Sequence, residues 1–156
     1  MKKILITGCA GFIGFHLSQF YLKKNFKILG IDNINDYYDQ KLKTDRIKLL
    51  KKIRKKNFIL YKKNLRNKKV LKNLFKKHKI KEIFHLAAQA GVRHSLKKPE
   101  DYISNNINSF LNILELSREY KIKKIFYAST SSVYGLNKHN SINEFSDTNK
   151  PIQFYA

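Results

Sequence analysis

The sequence is short of cysteine, of acid and of long apolar stretches, and each shortage excludes something. Its 156 residues hold one cysteine, Cys9. No internal disulfide can form, which suits a reducing compartment, so the cytoplasm is the expected location. No apolar run approaches the ~20 residues that a helix needs to cross a bilayer. The opening MKKILITGCAGFIGF has the lysines and apolar residues of a secretion signal, but Thr7 and the glycines interrupt it. No A-x-A cleavage site follows, and it reads as a mature N-terminus. A Pro/Gly/Ser-rich linker and an internal repeat are both missing, so a single domain is expected over residues 1–156.

Acid is scarce: 11 Asp and Glu stand against 33 Lys and Arg, a formal charge of +22. The basic residues are mostly lysines spread over the whole chain, with no Arg-rich stripe or known reader motif. A nucleic-acid partner is therefore not expected. A solvated lysine surface that steers anions such as nucleotides is the simpler reading. Hydrophobic residues at 42% are enough for a packed core and argue against disorder.

Short apolar runs alternate with amphipathic, lysine-rich segments. KKILIT is a β-branched run bounded by glycine, and FKILGID, NFILYK, KEIFHLAA and KKIFYAST follow as further strands. Between them FIGFHLSQFYLKK, KLKTDRIKLLKKIRKK, KKVLKNLFKKHK and PEDYISNNINSFLNILELSREYK carry apolar residues at helical spacing. Pro99 opens the last of these helices, and a loop runs from Ser131 onward. Strand and helix in strict alternation predict an α/β fold, a Rossmann-like doubly wound parallel sheet of order 3-2-1-4-5. A complete sheet would have a sixth strand, which the chain lacks. Ligands are expected outside the carboxyl ends of the strands, near the switch between strands one and four.

Gly8-Cys9-Ala10-Gly11-Phe12-Ile13-Gly14 follows the first strand and opens the first helix. Glycines let a backbone turn tightly and approach a pyrophosphate, whose charge then sits on the helix N-terminus. The spacing is G-x-x-G-x-x-G, and alone it is weak. Strand before, helix after and Asp32 at the end of strand two make it specific. An acid there accepts from a ribose 2′-OH and repels a 2′-phosphate, so NAD is expected over NADP. Cys9 is a small residue in a tight loop.

TGCAGFIG, the acid of GIDN, HLAAQ, YASTSSVYG and a later tyrosine together resemble the extended short-chain dehydrogenase/reductases, the NAD-dependent epimerase/dehydratase family of nucleotide-sugar enzymes. DNINDYYDQKLKTDRIKLL and HLAAQAGVRHSL narrow the resemblance to the UDP-glucuronate 4-epimerases, over the whole chain. The resemblance implies NAD as cofactor and a nucleotide-sugar substrate. Gly8, Gly11, Phe12, Ile13 and Gly14 would line the pyrophosphate, with Asp32 and Asn33 at the adenosine ribose. Asn64 and Leu65 would flank the adenine, Asn64 standing where the family usually has Asp. Leu86, Ala87, Ala88 and Gln89 would pass beneath the cofactor, and Asn106 would help anchor the site. Arg93 suits an anionic part of the substrate, since a guanidinium fork binds two oxygens. His16, His78, His85, His94 and His139 have no metal-ligand partners at useful spacing, so no metal site is expected.

The same resemblance assigns catalysis to Thr130 and Tyr155, with Ser131 and Ser132 as supporting hydroxyls at the substrate. Tyr155 would open the family's Y-A-x-x-K pattern, so PIQFYA reads as a chain cut inside a catalytic motif, ahead of the lysine and a sugar-binding domain. The implied reaction inverts C4 of UDP-glucuronate: Tyr155 takes the 4-OH proton while hydride leaves C4, and hydride returns to the other face. The fragment itself is expected to be inactive, and the full-length protein a homodimer. Sibling readings are a UDP-glucose/galactose 4-epimerase and a nucleotide-sugar dehydratase. A dehydratase would normally show an Asp-Glu pair where this chain has Ser131-Ser132. A reading of another class is a non-catalytic module binding NAD or nucleic acid.

Overall fold

A computed structural model describes residues 2–136 and 141–156; His139 lies outside the described residues. Five strands form one parallel sheet: β1 (Lys3–Thr7), β2 (Lys27–Asp32), β3 (Phe58–Lys62), β4 (Glu82–His85) and β5 (Lys124–Tyr127). Their order is β3-β2-β1-β4-β5, with every neighbouring pair parallel. The expected order is thus the observed one.

β1 is central, and its alternating residues serve two cores. Leu5 joins Leu29, Ile31, Ile83, Ile113 and Leu116 on one face. Ile4 and Ile6 join Ile28, Phe15, Leu22, Ile47 and Leu50 on the other. Both faces are covered, so the strand reads as a continuous apolar run rather than an alternating one. Each fully buried Ile or Leu contributes about 1.5–3 kcal/mol relative to exposure.

Helices α1 (Phe12–Lys23) and α2 (Gln40–Ile53) supply one layer, α3 (Lys68–Lys77) and α6 (Ser109–Glu119) the other. The Asp39 carboxylate caps α2, accepting from the Lys41 and Leu42 N–H groups, and Asn67 caps α3 through the Val70 N–H. A side-chain oxygen satisfies donors that the first turn leaves free.

Two stretches depart from expectation. AGVRHSLKK, given no helix in the sequence reading, forms the short α4 (Val92–Lys97). The long helix expected from Pro99 is interrupted: α5 (Pro99–Tyr102) passes into a π-helical stretch, Ile103–Asn108, before α6 begins. SNNIN has weak helix formers whose side chains compete for backbone partners. Ser109 Oγ donates five residues back to the Ser104 carbonyl, and Asn106 reaches across to the chain after β4. β5 is also shorter than the expected strand, ending at Tyr127, and a 3-10 turn over Ser131–Tyr134 follows it.

Candidate functional site

The carboxyl ends of β1, β2, β3 and β4 converge on one cavity. Gly8 and Gly11 border it from the β1–α1 loop, Asp32 and Asn33 from β2, and Asn64 and Leu65 from β3. Leu86, Ala87, Ala88 and Gln89 border it after β4. The sequence reading placed its ligand here, at the switch between strands one and four.

The glycine loop is a cradle that side chains would fill. Gly8 has φ +68°, and a Cβ on it would lie 2.8 Å from the Ala87 nitrogen. A Cβ on Gly14 would lie 2.1 Å from the Gly8 carbonyl oxygen. The first turn of α1 therefore packs backbone against backbone. The Gly11 N–H donates to the Gly8 carbonyl at 3.0 Å, and α1's own ladder starts with Phe15 N–H to the Gly11 carbonyl at 2.9 Å. Gly11 offers no capping side chain. The N–H groups of Phe12, Ile13 and Gly14 precede that first bond, so the helix end presents free donors and a positive dipole. Such an end fits a pyrophosphate.

Asp32 is 8% exposed and does two jobs. Its Oδ2 accepts from the Ala10 N–H at 2.9 Å and its Oδ1 from the Ile34 N–H at 2.8 Å. The carboxylate thus pins the glycine loop to β2, while each oxygen keeps a further lone pair free to accept. Asn64 is less free: its Oδ1 accepts from the Arg66 N–H at 2.9 Å and Arg66 Nε at 3.3 Å. Leu65 is buried in the core and shapes the wall beside it.

Thr7 ties the loop to β4. Its Oγ1 accepts from the Leu86 and Ala87 N–H groups, both at 3.1 Å. The hydroxyl proton then goes to His85 Nδ1, 2.9 Å away, which puts the imidazole proton on Nε2. His85 stacks on Phe110 at 5.0 Å, and burial lowers its pKa to about 4. It is a neutral structural histidine. Cys9 is fully buried, and burial, with the Asp32 charge behind it, holds the thiol well above its ordinary pKa.

Several residues here were missed by the sequence reading. Lys43 is 3% exposed and borders the cavity, donating to the Asn35 carbonyl at 2.8 Å and to Asn35 Oδ1. It lies over the Tyr38 ring at 4.1 Å. Burial lowers its pKa, opposed by the carboxylates of Asp32 and Asp36. Arg46 donates to the Ala10 carbonyl at 3.2 Å, a second brace on the glycine loop. One signal was available: Lys43 shares α2's buried positions with Ile47 and Leu50. A lysine at an apolar helical position has a reason to be there.

The remaining candidates gather elsewhere. Asn106 clamps Gln89, its Oδ1 accepting from the Gln89 N–H at 2.7 Å and its Nδ2 donating to the carbonyl at 2.9 Å. Its neighbours Asn105 and Ser109 border the cavity; Asn106 itself does not. Phe12 and Ile13 have exposed side chains, and the Phe12 ring meets His16 edge-on at 5.1 Å. Thr130 Oγ1 accepts from the Ser132 N–H at 3.2 Å at the start of the 3-10 turn. The Tyr155 ring packs edge-on against Tyr102 at 5.6 Å. No hydrogen bond joins Thr130 to Tyr155 among the described residues. Arg93 is exposed on α4, and Ser131 is exposed; neither they nor Ser132 border the cavity. No three His, Cys, Asp or Glu gather as a metal site among the described residues. Nor is any described helix long and apolar enough to cross a membrane.

Sheet order, glycine cradle and acid at the end of β2 define a Rossmann-type nucleotide-binding domain. The family model described as GDP-mannose 4,6 dehydratase matches residues 5–156. The chain belongs to this family, the NAD-dependent epimerases and dehydratases of the extended short-chain dehydrogenase/reductase class, and is closely related to UDP-sugar 4-epimerases. It is 46% identical over 134 residues to the UDP-glucuronate 4-epimerase of Thermodesulfobacterium geofontis, covering 86% of this chain and 41% of that one. The UDP-Glc/GlcNAc 4-epimerase structure from Campylobacter jejuni superposes with TM-score 0.88 at 30% identity, over 99% of this chain and 45% of that one. A UDP-glucuronic acid 4-epimerase structure from Bacillus cereus, in complex with NAD and a fluorinated UDP-sugar, gives TM-score 0.83 at 35% identity. It covers 98% of this chain and 47% of that one. The chain spans less than half the length of each of these proteins.

Proposed function

We propose that the chain is the NAD-binding part of a UDP-sugar 4-epimerase. The observation that carries this is the cradle: a backbone-to-backbone fit at Gly14 and Gly8, free N–H groups at the start of α1, and Asp32 across the cavity. In it the Phe12, Ile13 and Gly14 N–H groups hold the pyrophosphate, Asp32 and Asn33 the ribose, and Asn64 and Leu65 the adenine. Leu86 to Gln89 form the floor, kept in place by Thr7 and Asn106. Bound NAD supplies a hydride acceptor for the sugar's C4.

The chain's own residues then handle the proton. Tyr155 takes it from the sugar 4-OH, and Thr130 hydrogen-bonds the same oxygen. Ser131, Ser132 and Arg93 meet the sugar and its anionic groups. On this reading the 4-keto sugar turns over in the site and is reduced on its other face.

UDP-glucose with its galactose epimer is the first sugar to try, supported by the name of the superposing C. jejuni structure. UDP-glucuronate is the second reading, supported by the T. geofontis and B. cereus proteins. The full-length enzyme works in the cytoplasm, in keeping with a lone buried thiol. It works as a homodimer, in keeping with an exposed stripe of Ile103, Ile107, Leu111 and Leu114. Calorimetric titration of the chain with NAD and NADP is the direct test. Saturable NAD binding with weaker NADP binding is expected, and no NAD binding overturns the reading. Incubating the full-length protein with each UDP-sugar then identifies the substrate.

A further inference from the structure

We propose that Tyr37 is the clasp of a strap across the nucleotide cavity, and that the strap must open for a dinucleotide to enter or leave. The inference rests on the cofactor reading above and concerns a residue to which that reading gives no task. Residues 33–39 link β2 to α2, and from this loop the Tyr37 hydroxyl donates to the Ala90 carbonyl at 2.7 Å, 53 residues along the chain. β2 and β4 flank β1 on either side. A bond between the chains leaving them therefore spans the carboxyl end of β1, where the glycine loop begins. Ligands of such a sheet lie outside that end. Asn35, Tyr37 and Tyr38 all border the cavity, together with Gly8 and Gly11.

Both sides of the clasp are held, so the bond between them is the part free to break. On the far side, Tyr102 also donates to the Ala90 carbonyl, at 2.9 Å, and the His94 ring meets the Tyr37 ring edge-on at 5.4 Å. Gly91 leaves room for the hydroxyl: its φ is +105°, and a Cβ there would lie 2.6 Å from Tyr37 Oη. On the near side, the Ile34 N–H donates to Asp32 Oδ1 at 2.8 Å and Gln40 Nε2 to the Ile34 carbonyl at 2.9 Å. Lys43 Nζ donates to the Asn35 carbonyl at 2.8 Å. These bonds hold Ile34 at φ +51°, a left-handed backbone that β-branched residues rarely adopt. The loop is thus bent against its local preference and fixed at its root. Tyr37 itself is 44% exposed, so its hydroxyl can exchange Ala90 for water without unpacking a core. Anchored roots and a solvent-facing bond at the tip are what a gate needs.

Stopped-flow fluorescence with NADH tests this, reading association directly and dissociation by displacement with excess NAD. Tyr37→Phe removes the clasp and keeps the ring. A clasp that is the same with and without ligand sets how often the cavity is open, so its loss should speed association and dissociation alike. One neutral hydrogen bond corresponds to about 10-fold in each rate, with Kd kept within about 3-fold. A residue that touches the dinucleotide would instead raise dissociation alone and weaken binding. That outcome, or two unchanged rates, overturns the inference. The cofactor reading survives either of those results. It falls only if the wild-type chain fails to bind NADH, and the inference falls with it.

Discussion

The two ends of the sheet differ in how much of their site they finish. At the β3-β2-β1 end, the inner strands β1 and β2 are buried on both faces, and Asp32, Thr7 and Arg46 brace the glycine loop. At the β5 end, the strand has one neighbour, Phe126 is 47% exposed, and Tyr127 is 63% exposed. The two catalytic candidates there, Thr130 and Tyr155, hang on a 3-10 turn and a ring contact. A cofactor cradle needs only backbone and a buried acid, which local packing can supply. A proton-transfer pair needs two side chains held by neighbours on several sides. Binding can therefore be preformed where catalysis is not.

That contrast can be broken most sharply at Gly14. A valine there would drive Cβ into the Gly8 carbonyl, and a backbone oxygen cannot step aside. Gly14→Val should weaken NAD binding by about 100-fold or more while circular dichroism keeps the fold. Retained affinity would mean that the loop is soft and the contrast false.

His85 tests whether the Thr7 link is part of the rigid half. Its folded pKa of about 4 lies below the unfolded value, so in that window the unfolded chain binds the extra proton. Stability should therefore be full above about pH 6.5 and fall as pH drops toward 4, by about 3 kcal/mol. His78, also held low by burial and by Lys3, Lys77 and Lys27, adds a slope of the same sign. Urea unfolding of wild type and His85→Asn at pH 7 and 4.5 separates the two. Identical pH slopes would remove His85 from the account.

At the open end smaller effects are expected. Phe126 stacks on Phe84 at 4.7 Å but remains half exposed. Phe126→Thr should cost about 0.5–1.5 kcal/mol in urea unfolding. A loss several times larger would show that β5 is as tightly built as β2. Smallest of all, Tyr155→Phe should change stability by less than about 0.5 kcal/mol and leave NAD affinity within a factor of ~2. A large drop in affinity would join the two halves into one site.

Some of this was legible without coordinates. The alternation of buried runs and lysine-rich helices set the strand order, because a right-handed crossover between parallel strands leaves few topologies. The glycine spacing with Asp32 located the cavity. Lys43 and Arg46 were hidden because a basic residue on a lysine-rich helix carries no contrast. The interruption at Ile103–Asn108 was hidden because apolar periodicity runs through it, and only the reach of Asn106 to Gln89 reveals why the helix changes pitch.

By itself the sequence determined the architecture and the family, since hydrophobic period and local glycine chemistry are one-dimensional properties. Tertiary structure decided what each polar atom does. Asp32 is a brace between the glycine loop and β2, His85 is a neutral strut, and Gln89 Nε2 has no hydrogen-bond partner among the described residues. Those roles follow from hydrogen bonds between residues that lie far apart in the chain, and no spacing rule can balance donors against acceptors that meet only on folding.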